Sequence, residues 1–180
     1  MNYTLDVNTE EIRKQAEAAY GPYYCSEAIV SVLRDNFKLD MPEEIIAMAS
    51  SFPVGIGGSM CLCGAMSGGL MMLGLFFGRT TPGDAKIDKN MQLAAEMHDW
   101  FKKASGKNAL CCRVLCRGME MGSEEHLAQC TRLTGMVAEK SAEIIVRELG
   151  DSKCEDCTGF SIPDLQNAQE SSHDCEECLL

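Results

Sequence analysis

The sequence predicts an all-α protein: a helical bundle around a glycine-rich central helix, with a short cysteine-rich metal-binding appendage at the C-terminus. Three observations carry this. Apolar residues recur at helical spacing in several segments that begin and end on capping or breaking residues. Strand-type alternation is almost absent. Met60 to Gly78, MCLCGAMSGGLMMLGLFFG, is apolar, and its small residues recur four apart: Gly64 with Gly68, Ala65 with Gly69, Gly74 with Gly78. Residues four apart share a helix face. Interior glycine costs roughly 0.5–1 kcal/mol against alanine, so these glycines need a reason, and close approach of a backbone or a bulky cofactor supplies one.

Thr9-Glu10-Glu11 opens a first helix to about Tyr20, with Thr9 as N-cap and acids in the first turn; Gly21-Pro22 ends it. A second helix runs from about Tyr24 to Phe37, with Ala28, Ile29, Val32 and Leu33 on one face. Cys25 falls in its first turn, where the helix N-terminus favours thiolate and lowers the thiol pKa. Pro42 at the first helical position starts a third helix to about Ser51. Pro53 to Ser59 is a loop that delivers Cys61 and Cys63 to the central helix. After the Thr81-Pro82-Gly83-Asp84 turn, an amphipathic helix runs to about Ala104, with Met91, Leu93, Ala94, Met97, Trp100 and Phe101 as core candidates. ALCCRVLCRG is a helical patch closed by Gly118. Ser123 starts the last long helix, to about Leu149, with Val137, Ile144, Ile145 and Leu149 facing the core.

No charge occurs between Glu44 and Arg79, so a membrane span competes with a buried helix for the central stretch. Pro53 and Gly55-Ile56-Gly57-Gly58 break the uncharged region, and no basic cluster or aromatic belt flanks it, which favours the buried helix and no membrane. A net charge of −11 argues against nucleic acid. The charge shifts near Gly150: residues 151–180 hold eight acidic residues against Lys153 alone. That places a boundary between a helical domain, 1–150, and an acidic tail, 151–180. The opening MNYTLDVNTEEIRKQ has neither a basic nor an apolar signal region. Eleven cysteines in such a chain point to metal binding or redox chemistry in the cytoplasm rather than to disulfides.

Cys25, Cys63, Cys112 and Cys130 each lie in or near the start of a separate predicted helix. Their spacing suits no local metal motif but does suit convergence of several helices on one site, where four thiolates hold an iron–sulfur cluster or zinc. Buried cysteine also packs as a small hydrophobe, the competing explanation. Around these positions stand Tyr24-Cys25-Ser26-Glu27-Ala28, Gly57-Gly58, Cys63-Gly64-Ala65-Met66-Ser67-Gly68, Leu73-Gly74-Leu75 to Gly78, Cys112-Arg113-Val114-Leu115 and Cys130-Thr131-Arg132-Leu133. In these motifs the chain resembles, over roughly residues 15–150, the family of redox-active proteins named for its C, GCAxxG, C, C cysteine pattern, which includes the split-Soret cytochromes. The resemblance implies an iron–sulfur or related redox centre and a dimeric helical protein, and no particular enzymatic reaction. The centre here reads Cys-Gly-Ala rather than Gly-Cys-Ala, Cys61 precedes it, and Cys111 and Cys116 flank the third position. Cys61, Cys111 or Cys116 therefore remain alternatives to individual ligands. Gly64 and Gly68 are expected to give the cofactor room.

The tail contains Cys154-Glu-Asp-Cys157, seventeen residues, then Cys175-Glu-Glu-Cys178. Two such knuckles complete a four-coordinate shell for zinc or iron. The adjacent acids oppose free thiolates and favour a bound cation. Neither pair is followed by histidine, which excludes covalent haem in its usual form, unlike the split-Soret relatives. His173, two before Cys175, is an alternative ligand but reads rather as solvated, and His98 and His126 read as surface residues of helices. The function expected is electron transfer, in an anaerobic or reducing cytoplasm, to a redox protein partner. A metalloenzyme with a substrate-accessible cluster and a zinc-binding interaction protein are the alternatives, and no catalytic residues are assigned.

Overall fold

A computed structural model describes residues 2–150. The helices are α1 (Thr9–Ala19), α2 (Cys25–Asn36), α3 (Glu44–Ala49), α4 (Gly64–Phe77), α5 (Lys86–Ala104), α6 (Cys112–Leu115) and α7 (Glu124–Gly150). Among the described residues there is no sheet, only two isolated bridges, so the fold is all-α. The tail lies outside the described residues, and with it Cys154, Cys157, Cys175, Cys178 and His173.

Helix starts follow local chemistry. Asn8, not Thr9, caps α1: its Oδ1 accepts the Glu11 N–H at 3.0 Å, which frees Thr9 to be the first helical residue. Glu27 reaches back from α2 to accept the Tyr24 N–H at 2.9 Å. Ser123 Oγ accepts the His126 N–H at 3.2 Å and so starts α7. The third helix is shorter than expected, because Pro42 and Glu43 precede it and it ends at Ala49. The ALCCRVLCRG patch makes only the single turn of α6.

α4 is the hub. It packs against α2, α5 and α7, and α1 lies along α7. Its core neighbours include Ile29, Leu33, Met97, Phe101, Val137 and Ile144, all fully buried. Met91, expected inside, is exposed, because α5 buries only Leu93, Met97 and Phe101. The small-residue face is spent within the chain. A Cβ on Gly68 would stand 2.8 Å from the Ser26 carbonyl oxygen, and one on Gly69 would stand 2.6 Å from Val137 Cγ1. These glycines bring α4 close to α2 and α7, while a Cβ on Gly74 would meet nothing within 4 Å. Among the described residues no helix is long and apolar enough to cross a membrane. Ion pairs tie the outer surface: Arg147 grips Glu96 with both terminal nitrogens, at 2.9 and 2.6 Å, and Arg13 reaches Glu139.

Candidate metal centre

One end of the bundle is built from chain that is not helical. Residues 53–61 fold back on themselves: the amides of Met60 and Cys61 donate to the carbonyls of Val54 and Gly55, both at 3.1 Å. Gly55, at φ +68°, leaves no room for a Cβ, which would lie 2.4 Å from the Cys61 amide nitrogen. Val54, Ile56 and Met60 take positive φ without being glycine, at 54°, 63° and 58°. For β-branched Val54 and Ile56 this is strained backbone, of the kind that gathers at ligand sites.

The segment then pairs with the approach to α6. The Cys63 amide donates to Leu110 O at 2.8 Å, the Cys112 amide to Cys61 O at 2.6 Å, and the Arg113 amide to Met60 O at 3.0 Å. This short antiparallel ladder brings Cys63 and Cys112 side by side from positions 49 residues apart in sequence. Cys63 sits at the N-cap of α4, and the amide hydrogens of Ala65 and Met66 point to its sulfur. Cys25 comes from the first turn of α2 and Cys130 from the second turn of α7.

The result is a small cavity of about 20 Å³. Cys25, Cys63, Cys112 and Cys130, expected from their spacing together with the family resemblance, all line it, as do Cys116, His126, Tyr20, Val54 and Met60. Cys61 is exposed, and Cys111 is buried with its thiol on the Met60 carbonyl at 3.1 Å; neither lines the cavity. Gly64 stands beside Cys25: a Cβ there would lie 2.5 Å from its sulfur, so the glycine leaves space for that thiol. Gly68 is not among the lining residues. His98 is exposed, as expected. His126 is not a surface residue. It is buried, its ring lying between the Gly122 amide before α7, which donates to Nδ1 at 3.3 Å, and Cys130 Sγ, 3.6 Å from Nε2. Cys116, His126 and Cys130 hold their ligand atoms within 4.8 Å of one another, a group that could bind a metal ion. The signal for His126 was its place four residues before Cys130, which puts both on one helix face.

The thiols differ in acidity. Burial, reinforced by neighbouring Cys63, pushes Cys25 up to about 12, and the amides of Val54 and Ser26 pull it down too weakly to win. The lowering expected at the α2 N-terminus is thus reversed by desolvation. A hydrogen bond from Cys112 lowers Cys63, with the Ala65 and Met66 amides assisting, while Cys112 is raised as the partner that keeps its proton. Cys116 and Cys130 form a second such pair. Donation by Cys116, with His126 and Tyr20 adding, takes Cys130 down to about 6, and Cys116 rises. In each pair one sulfur is lowered and its partner raised.

An all-helical bundle with five thiols and an imidazole around one buried cavity is a protein of the metal-binding, redox-active class. Residues 23–144 match the family described as "putative redox-active protein (C_GCAxxG_C_C)", and the chain belongs to that family. No curated protein and no solved structure matches the chain.

Proposed function

We propose that the cavity holds an iron–sulfur centre ligated by Cys25, Cys63, Cys112 and Cys130, and that the protein carries electrons. The observation behind this is the convergence of four cysteines from four separate segments on one buried, apolar cavity. The donor set fits: soft thiolates are the ligands that iron–sulfur clusters take. Such a centre, when bound, supplies one-electron chemistry. The chain's own part is to exclude water, to present two lowered thiols, Cys63 and Cys130, and to aim amide hydrogens at Cys63 and Cys25. Hydrogen-bond donors to the sulfurs favour the more negative, reduced state and raise the potential.

The rest of the reading follows from sequence and family. A second metal centre sits on Cys154, Cys157, Cys175 and Cys178, the acidic tail steers a basic redox partner, and the protein works as a cytoplasmic homodimer in a reducing or anaerobic cell. The dimer rests on the family resemblance, since α4 spends most of its small-residue face inside the chain.

A single zinc ion is the second reading. The small cavity and the Cys116–His126–Cys130 group favour it. Anaerobic purification of the full chain separates the two. Absorption above 400 nm with stoichiometric iron and acid-labile sulfide is expected; a colourless protein with bound zinc overturns the iron–sulfur reading.

A further inference from the structure

We propose that His126 is a positioning residue: it donates a fixed hydrogen bond from Nε2 to Cys130 Sγ and is not itself a metal ligand. The backbone sets this. The Gly122 amide donates to His126 Nδ1 at 3.3 Å, so Nδ1 is the acceptor and carries no proton. A neutral imidazole has one N–H, and with Nδ1 occupied as acceptor that N–H is at Nε2. Nε2 is the atom that faces Cys130 Sγ, at 3.6 Å.

Ligation would require the opposite tautomer. A metal on Nε2 uses the lone pair there and leaves the proton on Nδ1, and ligating histidines donate that second N–H to an oxygen acceptor. Here Nδ1 meets an N–H instead, and two donors would face each other. The arrangement is held from both sides. Gly122 takes φ +83°, a conformation suited to glycine, and Ser123 Oγ accepts the His126 amide at 3.2 Å in the first turn of α7. The ring is buried, so it has no solvent position to turn into without opening the packing.

The consequence is a sulfur with hydrogen bonds from Cys116 and Tyr20 and with His126 Nε2 at 3.6 Å as its third side-chain neighbour. The Nε2–H draws electron density from Cys130 Sγ and raises the reduction potential of a centre bound there. This second half rests on the iron–sulfur reading; the tautomer does not.

The test therefore has two arms on the full chain. In the metal-free protein labelled with ¹⁵N-histidine, the His126 ring should show a protonated Nε2 and an unprotonated Nδ1. The reverse pattern overturns the proposal with no metal involved. In protein reconstituted with iron and sulfide, His126→Gln and His126→Leu should both keep the iron and sulfide of the wild type. The potential should fall in His126→Leu and fall less in His126→Gln, which retains an N–H donor. Loss of iron in both folded variants, or strong coupling of a histidine nitrogen to the reduced centre in pulsed EPR of the wild type, makes His126 a ligand and overturns the proposal. If the wild type takes up no chromophore, the iron–sulfur reading has failed, and the labelled metal-free protein still decides the tautomer.

Discussion

The helical body and the cysteine end of this protein bury the same kinds of atoms under different rules. In the body, Phe101, Leu73, Ile29 and Val137 fill space from regular helices, where backbone groups away from the ends pair within the helix. At the cysteine end, thiols are buried beside one another, and the backbone takes positive φ at Val54, Ile56 and Met60. The body gains from burial. The cysteine end bears costs, in strain and in desolvated sulfur, that regular packing elsewhere offsets. Strain and pKa perturbation gathered in one place are the physical marks of a site.

The difference is largest in thiol chemistry. In metal-free protein, alkylation by iodoacetamide at neutral pH should modify Cys130 and leave Cys25 intact, with rates several orders of magnitude apart, as thiolate fractions set by values of about 6 and about 12 require. The sign for stability follows from linkage. Cys130 is depressed from 9.0, so its contribution is present above pH 9 and is lost as the pH falls through about 6. Cys25 is raised from 9.0, so its contribution is present below pH 9 and is lost as the pH rises toward 12. Peptide mapping after labelling checks the order, and equal labelling of both cysteines would erase the contrast.

In the body the largest effect is a cavity. Phe101→Ala should cost about 3–5 kcal/mol in denaturant unfolding, because the side chain is fully buried between α5 and its neighbours. Gly68→Ala should cost about 1–3 kcal/mol, since its Cβ meets the Ser26 backbone, which has no flexible end to give way. Gly74→Ala, facing open space on the same helix, should instead stabilise by roughly 0.5–1 kcal/mol. If both alanines behaved alike, the packing role assigned to Gly68 would be wrong.

The smallest effect probes strain at the cysteine end. Ile56 is half exposed at φ 63°, so Ile56→Gly removes strain while giving up little packing. A gain of about 1 kcal/mol is expected, read from the shift of the denaturant midpoint at unchanged slope. A loss would show that Ile56 holds the loop through its side chain.

Much of this contrast was written in the sequence. Helical periodicity located every long helix, and four cysteines near helix starts marked the elements that meet. Three things were hidden. The Cys63–Cys112 juxtaposition depends on a ladder between segments that carry no strand signal, because only the bridge between Leu62 and Cys111 forms. The acidity of Cys25 is set by tertiary burial, which outweighs the local helix terminus. The burial of His126 goes with a contact from outside the helix, the Gly122 amide on its Nδ1, and a helical pattern alone left it looking like a surface residue.

Under the proposed function, thiols from separate segments serve one iron–sulfur centre in the helical domain. This is tested most directly by iron and acid-labile sulfide per chain in protein truncated after Gly150, with and without Cys63→Ser, and with Cys61→Ser as the exposed control. The truncated protein should retain a centre that absorbs above 400 nm, Cys63→Ser should weaken or lose it, and Cys61→Ser should keep it. Equal iron and sulfide in all three proteins, or none in any, would contradict the assignment of this cavity as the site.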